Sequence, residues 1–216
     1  MPEYKSEKEA ILQHMDYIYD TDIEQKYDIG GHALFLYRAV REVIPTNSVV
    51  LDVGCNSGAI GRLLMQEKNV ICYGVDVNPQ LVIRAINKGI FAKLTYFSKG
   101  IFEKPGVAEK LPWPDNNFDA VILLEILEHV YDADKVLKEA TRVTKLGGII
   151  TGSVPHPKGQ AGAKGFVKHK YHARVVDKTK LKNLLGQYLK KIEIKNIYTD
   201  PDITGLPNWL WFSGKK

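Results

Sequence analysis

The chain has 216 residues, 44% of them hydrophobic and 25% charged, which excludes a disordered or fibrous chain and leaves room for one globular domain with a full core. No apolar run is long enough for a membrane span, and the opening MPEYKSEKEA is too polar for a secretory signal. The formal net charge of +5 is uneven: eleven Lys or Arg fall between Pro155 and Lys195 against only Asp177 and Glu193, while residues 1–48 lean acidic. Such a region attracts nucleic acid, a phosphate or an anionic small molecule, although a solvated lysine-rich surface is the plainer account of lysines scattered on helices. Cys55 and Cys72 make no disulfide framework. They read as small buried residues of a cytoplasmic, reducing compartment.

Residues 1–48 read as a helical cap. Ile11, Leu12, Met15, Ile18 and Tyr19 fall at helical spacing, and a second helix is expected from Gly31 to Ile44, where Pro45 stops it. Val49, Val50 and Leu51 then form a short apolar run suited to a parallel strand covered on both faces. Asp52 breaks that run, and Gly54, Asn56 and Gly58 lead into a helix. A turn of this kind lets the backbone approach a ligand and aims free amides at it. Asn is one of the few other residues that tolerate positive φ there. A second strand, Ile71 to Val75, ends in Asp76, 24 residues beyond Asp52. A carboxylate at that place can accept from both hydroxyls of a ribose. The glycine spacing is not G-x-G-x-x-G, and no Gly-Lys-Ser/Thr follows, which excludes a dinucleotide fingerprint and a P-loop. What is left is a nucleoside site with no need for a phosphate.

The stretch D-V-G-C-N-S-G resembles the first motif, D-x-G-x-G-x-G, of class I S-adenosylmethionine-dependent methyltransferases, with Asn56 in place of the middle glycine. The resemblance implies an α/β fold: a Rossmann-like, seven-stranded, mostly parallel sheet with an antiparallel last strand, helices on both faces and an amino-terminal helical cap. It implies a single domain over residues 1–216, with the cap at 1–48 and the core at 49–216. S-adenosyl-L-methionine would lie across Asp52, Gly54, Cys55, Asn56, Gly58 and Asp76, with Val77, Ala108, Glu109, Leu124 and Glu125 near it. Amino-terminal helices in such enzymes cover the cofactor and help choose the acceptor, which makes Tyr17, Tyr19, Tyr27 and His32 candidates to face the site.

Pro79 opens the next helix, which stops near Gly89, and a third strand is expected near Ile101 to Lys104. Gly106 to Asp119 resembles the family's G-D-A-E-x-L-P-F-x-D-x-x-F-D segment. The Asp that bonds the adenine amino group in the family is Val107 here, so adenine recognition falls to backbone groups of Ala108 and Glu109 or to a neighbour. The fourth strand, Ala120 to Leu124, runs into L-E-I-L-E-H-V. This segment resembles that of ubiquinone-type O-methyltransferases and implies a place beside the transferred methyl group. Glu125, Glu128 and His129 can share one face of a helical turn, and two carboxylates with an imidazole make a partial divalent-metal site. Similar Glu-x-x-Glu-His segments bind a divalent metal in small-RNA 3′-terminal 2′-O-methyltransferases, where a later histidine completes the set. His169 and His172 are the candidates here, with Mg²⁺ or Mn²⁺ as the ion. Without a metal, Glu128 and His129 simply cap and orient the helix.

Asp134 to Thr144 reads as an amphipathic helix ended by Lys145 to Gly148, and Ile149 to Val154 as the fifth strand, similar to the family's R-V-L-K-P-G-G element. The loop from Pro155 to Arg174 is too long to be only a connector, and its position implies that it lines the acceptor site. His156, His169 and His172 there, with His129, are candidate general bases. A helix over Asp177 to Leu189, a sixth strand through Ile192, Ile194 and Ile197, and an antiparallel strand from Asn208 to Ser213 complete the chain.

Three functional readings follow. The first is methyl transfer to a hydroxyl or amine of a small molecule, such as a sugar or other metabolite. The second is RNA methylation, including metal-assisted 2′-O-methylation, for which the basic half speaks and against which the lack of a recognisable RNA-binding module counts. The third is a non-catalytic cofactor-binding subunit.

Overall fold

A computed structural model describes residues 32–77, 79–87, 108–158, 172, 174–198 and 207–216. Among these residues the order is α1 (His32–Val43), β1 (Val49–Val53), α2 (Ala59–Lys68), β2 (Ile71–Val75), α3 (Pro79–Asn87), β3 (Phe118–Leu124), α4 (Ala133–Val143), β4 (Thr144–Pro155), α5 (Lys178–Leu185), β5 (Lys190–Ile197) and β6 (Trp209–Lys215). The six strands form one sheet in the order β2-β1-β3-β4-β6-β5. The first four pair in parallel, and β6 runs antiparallel between β4 and β5. Seven strands were expected, and six are found among the described residues. The expected third strand, the first cap helix, Val107 and His169 lie outside them.

The two-residue period of a strand sorts side chains to opposite faces. On one face, Val50, Cys72, Ala120 and Ile122 pack with Tyr37, Val40 and Ile44 around α1, Leu64 of α2, and Val82 and Ala85 of α3. On the other, Leu51, Val53, Val121, Leu123 and Ile150 pack with Val136, Leu137, Ala140 and Val143 of α4 and Leu181 and Leu185 of α5. Truncating Leu137 or Leu181, both fully buried, is expected to cost about 2–5 kcal/mol.

Two local expectations are corrected. Lys145 to Gly148 does not merely end a helix but lies inside β4. Phe118 pairs with Thr144 and Ala120 with Ile149, so the extra residues bulge out of the ladder, with Gly147 at φ 75°. Helix α4 therefore ends at Val143, and Asp132 caps its start by accepting from the Lys135 amide. Helix α5 stops at Leu185 rather than Leu189, with Gly186 as its C-cap and Asp177 as its N-cap.

Candidate active site

The carboxyl ends of β1 and β2 build one half of the site. After β1 the backbone turns through Gly54 (φ 75°), Asn56 (φ 50°) and Gly58 (φ 81°). Asn56 thus adopts the left-handed conformation that the replaced glycine would have used. Its side chain steadies the turn, because the Ser57 amide donates to Oδ1 at 2.6 Å. The Gly54 and Cys55 amides both donate to the Val75 carbonyl, at 2.7 and 3.0 Å, and fasten the turn to the end of β2. The Asn56 amide donates to Oδ2 of Asp76 at 3.0 Å. The half-buried Asp76 carboxylate is thereby oriented by backbone.

Asp52 lies beneath, almost fully buried. Burial, with the nearby negative Asp76 adding to it, pushes its carboxyl up to about 7. Two acids so placed favour a cationic ligand over an anionic one. Cys55 is buried, and burial pushes its thiol up, so it packs rather than reacts.

The carboxyl ends of β3 and β4 build the other half. A Cβ added to Gly54 would collide with Cδ1 of Ile126, so the two halves touch directly. Glu125 carries φ 54°, which for a non-glycine residue stores about 1–3 kcal/mol of strain. Three bonds offset it. The Glu125 amide donates to the Ser153 carbonyl at 3.1 Å, the Ser153 hydroxyl donates to Oε1 at 2.6 Å, and the Trp209 indole donates to Oε2 at 3.0 Å. Burial pushes the Glu125 carboxyl up to about 7, and the two side-chain bonds oppose that rise.

One residue on, a tight turn begins, with the His129 and Val130 amides both donating to the Ile126 carbonyl. It places Glu128 inside, 2% exposed, with neither carboxylate oxygen hydrogen-bonded among the described residues. Burial and the charge of Glu125 hold its carboxyl well above the usual range. His129 Nε2 lies 3.7 Å from Glu128 Oε1, and the His129 and His172 rings meet edge to face with centroids 4.8 Å apart. Glu128, His129 and His172 each offer a ligand atom, all within 4.8 Å of one another. One carboxylate and two imidazoles thus converge, with Glu125 held alongside by other partners.

The remaining candidates fall elsewhere. His156 donates its amide to the Asn208 carbonyl and accepts the Lys158 amide at Nδ1; burial, then Lys158, holds its imidazole below the ordinary value. The Glu109 carboxylate accepts from the Tyr131 amide at 3.1 Å and bolts the 108–111 segment onto the turn before α4. Ala108, Leu124 and Val77 are half-buried at the strand ends. Arg142, from the R-V element, ties the same region down: its guanidinium reaches the Leu111 and Trp113 carbonyls, Asp115 and Glu139.

Ser153, Trp209 and Arg174 are the site residues that sequence reasoning missed. No motif marks them; only the chemistry of Arg174, two residues past His172 in the same loop, offered a signal.

Residues 51–151 match the family described as methyltransferase domain. Over this segment the chain is similar to S-adenosylmethionine-dependent methyltransferases. The chain is 31% identical over 134 residues to ajmaline N-methyltransferase of Rauvolfia serpentina, covering 56% of this chain and 44% of that one. It is 32% identical over 137 residues to the ubiquinone/menaquinone biosynthesis C-methyltransferase of Rickettsia bellii, covering 58% and 54%. It thus spans about half the length of these curated relatives. In fold, the chain resembles a methyltransferase structure from Thermotoga maritima, with a TM-score of 0.71 and 18% identity over 94% of this chain and 99% of that one. The relatives include, by name, an N- and a C-methyltransferase, so this family does not by itself fix the atom that receives the methyl group. Among the described residues no helix is long and apolar enough to cross a membrane.

Proposed function

We propose that the protein transfers a methyl group from S-adenosylmethionine to a hydroxyl of a small molecule in the cytoplasm. The observation that carries this reading is the convergence of Glu128, His129 and His172 at the 126–131 turn, whose Ile126 packs against Gly54. The turn at Gly54 to Gly58 and the carboxylates of Asp52 and Asp76 suit a cationic nucleoside. S-adenosylmethionine, when bound, supplies a methyl group made electrophilic by its sulfonium. Asp76 holds the ribose, and the backbone of the turn approaches the amino-acid end. Ile126 and Leu127 crowd out water, and His129 or His172 accepts the proton that a hydroxyl must lose. Glu128, 3.7 Å from Nε2 of His129, keeps that ring in place. A carbon or amine acceptor has less need of this paired imidazole site.

Titration of S-adenosylmethionine into the purified protein by calorimetry tests the first half, with Asp76→Ala as control. Binding that the substitution weakens is expected; no binding by folded wild-type protein overturns the reading. Labelled-methyl transfer to hydroxyl, amine and carbon acceptors tests the second half. Transfer confined to amines or carbon and untouched by His129→Asn or His172→Asn would sink the hydroxyl assignment.

The same cluster favours a second reading, metal-assisted 2′-O-methylation of RNA. Both oxygens of the buried Glu128 lack a hydrogen-bond partner among the described residues, and a cation would satisfy them. One carboxylate with two imidazoles suits Mn²⁺ or Zn²⁺ better than Mg²⁺, which demands oxygen ligands. Glu128, His129 and His172 would hold such an ion, and the chemistry it would supply is acidification of a coordinated hydroxyl. Exposed Lys178, Lys180, Lys182, Lys190, Lys191 and Lys195 line α5 and β5, although lysines on an edge strand also guard it against pairing. Mn²⁺ binding followed by paramagnetic resonance, lost in Glu128→Gln, together with salt-dependent RNA binding, would move the assignment to this reading.

A further inference from the structure

The cluster at the end of β3 is drawn from two parts of the chain. Glu128 and His129 sit in the 126–131 turn, whereas His172 comes from the loop after β4, more than 40 residues later. Something must hold that loop's exit against the turn, because an imidazole on a long connection is otherwise free to sample solvent. Arg174 is placed to do so. Its Nη1 donates to the Leu127 carbonyl at 2.8 Å and to the Val130 carbonyl at 2.7 Å. Its Nη2 donates to the Tyr131 carbonyl at 2.7 Å. These are the last carbonyls of the turn, groups a short turn leaves without backbone partners.

A planar guanidinium spans three such acceptors at once, which a point-charge ammonium does not. The three bonds bracket Glu128 and His129 in sequence, and Arg174 lies two residues from His172. Fixing the arginine therefore fixes the imidazole beside its partners. Val176, buried in the core on the α5 side, anchors the chain just beyond, and the Asp177 cap opens α5 at once. The loop exit is thus held at both ends of the four residues from Arg174 to Asp177.

We propose that Arg174 is a positioning residue that assembles the acceptor half of the site, clamping the carbonyls of Leu127, Val130 and Tyr131 so that His172 meets His129 and Glu128. Its consequence for turnover rests on the hydroxyl-transfer reading given above; the clamp itself does not.

The test is nuclear magnetic resonance on the full chain with ¹⁵N,¹³C-labelled histidine, without acceptor or metal. The wild type is expected to show a cross-peak between the ring protons of His129 and His172, which touch edge to face. Arg174→Ala is expected to abolish it while the dissociation constant for S-adenosylmethionine changes less than twofold. Arg174→Lys keeps the charge but not the fork, and is expected to weaken the cross-peak at least fivefold. Leu181→Ala, which loosens the core away from the clamp, is expected to keep it.

A cross-peak that persists at wild-type intensity in Arg174→Ala overturns the proposal. So does its loss in Leu181→Ala, which would make it a report of general loosening. Should Arg174→Ala fail to fold, Arg174→Lys decides: full intensity there overturns the clamp. Failure of wild-type protein to bind S-adenosylmethionine would instead remove the methyltransferase reading and leave this result standing.

Discussion

The two halves of the site are made of different material. At the ends of β1 and β2, each of these contacts has a backbone amide as its donor: Gly54 and Cys55 on Val75, Asn56 on Asp76, Ser57 on Asn56. At the ends of β3 and β4, the contacts are side chains brought from afar. Ser153 reaches Glu125 across 28 residues, Arg174 reaches Leu127 across 47, and Trp209 reaches Glu125 across 84. The first half needs particular φ angles and one carboxylate, which few residue types supply. The second needs only donors at the right distance, which many folds of the chain could provide. A common cofactor and a variable acceptor would divide a site in this way.

The sharpest way to break the comparison is Asp76→Ala. Loss of a charged hydrogen-bonding partner, worth about 1.5–3 kcal/mol, is expected to weaken S-adenosylmethionine roughly 10- to 100-fold by calorimetry, with the acceptor half intact. Gly54→Ala comes next. It forces a side chain to φ 75° against Ile126, a strain of about 1–2 kcal/mol, and is expected to weaken the cofactor roughly 5- to 30-fold. Equal cofactor affinity in either variant would mean that this half does not hold the nucleoside.

Glu128→Gln probes the opposite half. It keeps the shape but removes a carboxyl that burial disfavours as an anion. Cofactor affinity is expected to change less than twofold, the melting temperature at pH 8 to hold or rise, and hydroxyl methylation to fall. A large drop in cofactor affinity would show the halves to be one unit.

The smallest effect is a pH slope. Asp52 keeps its proton up to about 7 when folded and, by ordinary carboxyl behaviour, loses it near 4 when unfolded. Between those values the folded state binds more protons, so stability falls as pH rises from about 4 to about 7 and is level above. Thermal melts of the cofactor-free protein are expected to show that decline, and Asp52→Asn to lessen it, the remainder coming from Glu125 and Glu128, whose carboxyls burial also raises. A decline of equal slope in Asp52→Asn would assign it to other groups.

This division explains what could be read from the sequence. The glycine turn, Asp76, the strands from Val49 to Val75 and the helices on both faces follow from local pattern, because backbone conformation is written in neighbouring residues. Asn56 was readable as a glycine substitute because its left-handed tolerance is intrinsic. The Glu-x-x-Glu-His spacing suggested one helical face. The left-handed Glu125 instead turns its carboxylate to Ser153 and Trp209 and leaves Glu128 and His129 to meet His172. That choice depends on β6 returning beside β4, a tertiary pairing with no local signature. Motif residues such as Glu109 and Arg142 were legible as motif, yet their side chains brace the 108–115 segment through contacts that only the fold reveals.

The bond between Trp209 and Glu125 has an optical consequence. An indole whose N–H rests on a buried carboxylate emits according to the charge and hydration of that carboxylate, whereas Trp113 meets Phe118 edge to face and the Trp211 ring lies under the Lys195 ammonium. Filling the acceptor side, or placing a cation beside Glu128, changes the field at Trp209. With Trp113 and Trp211 replaced by Phe, the protein becomes its own fluorescent sensor of acceptor-site occupancy, able to screen unlabelled compounds before any methylated product has been seen.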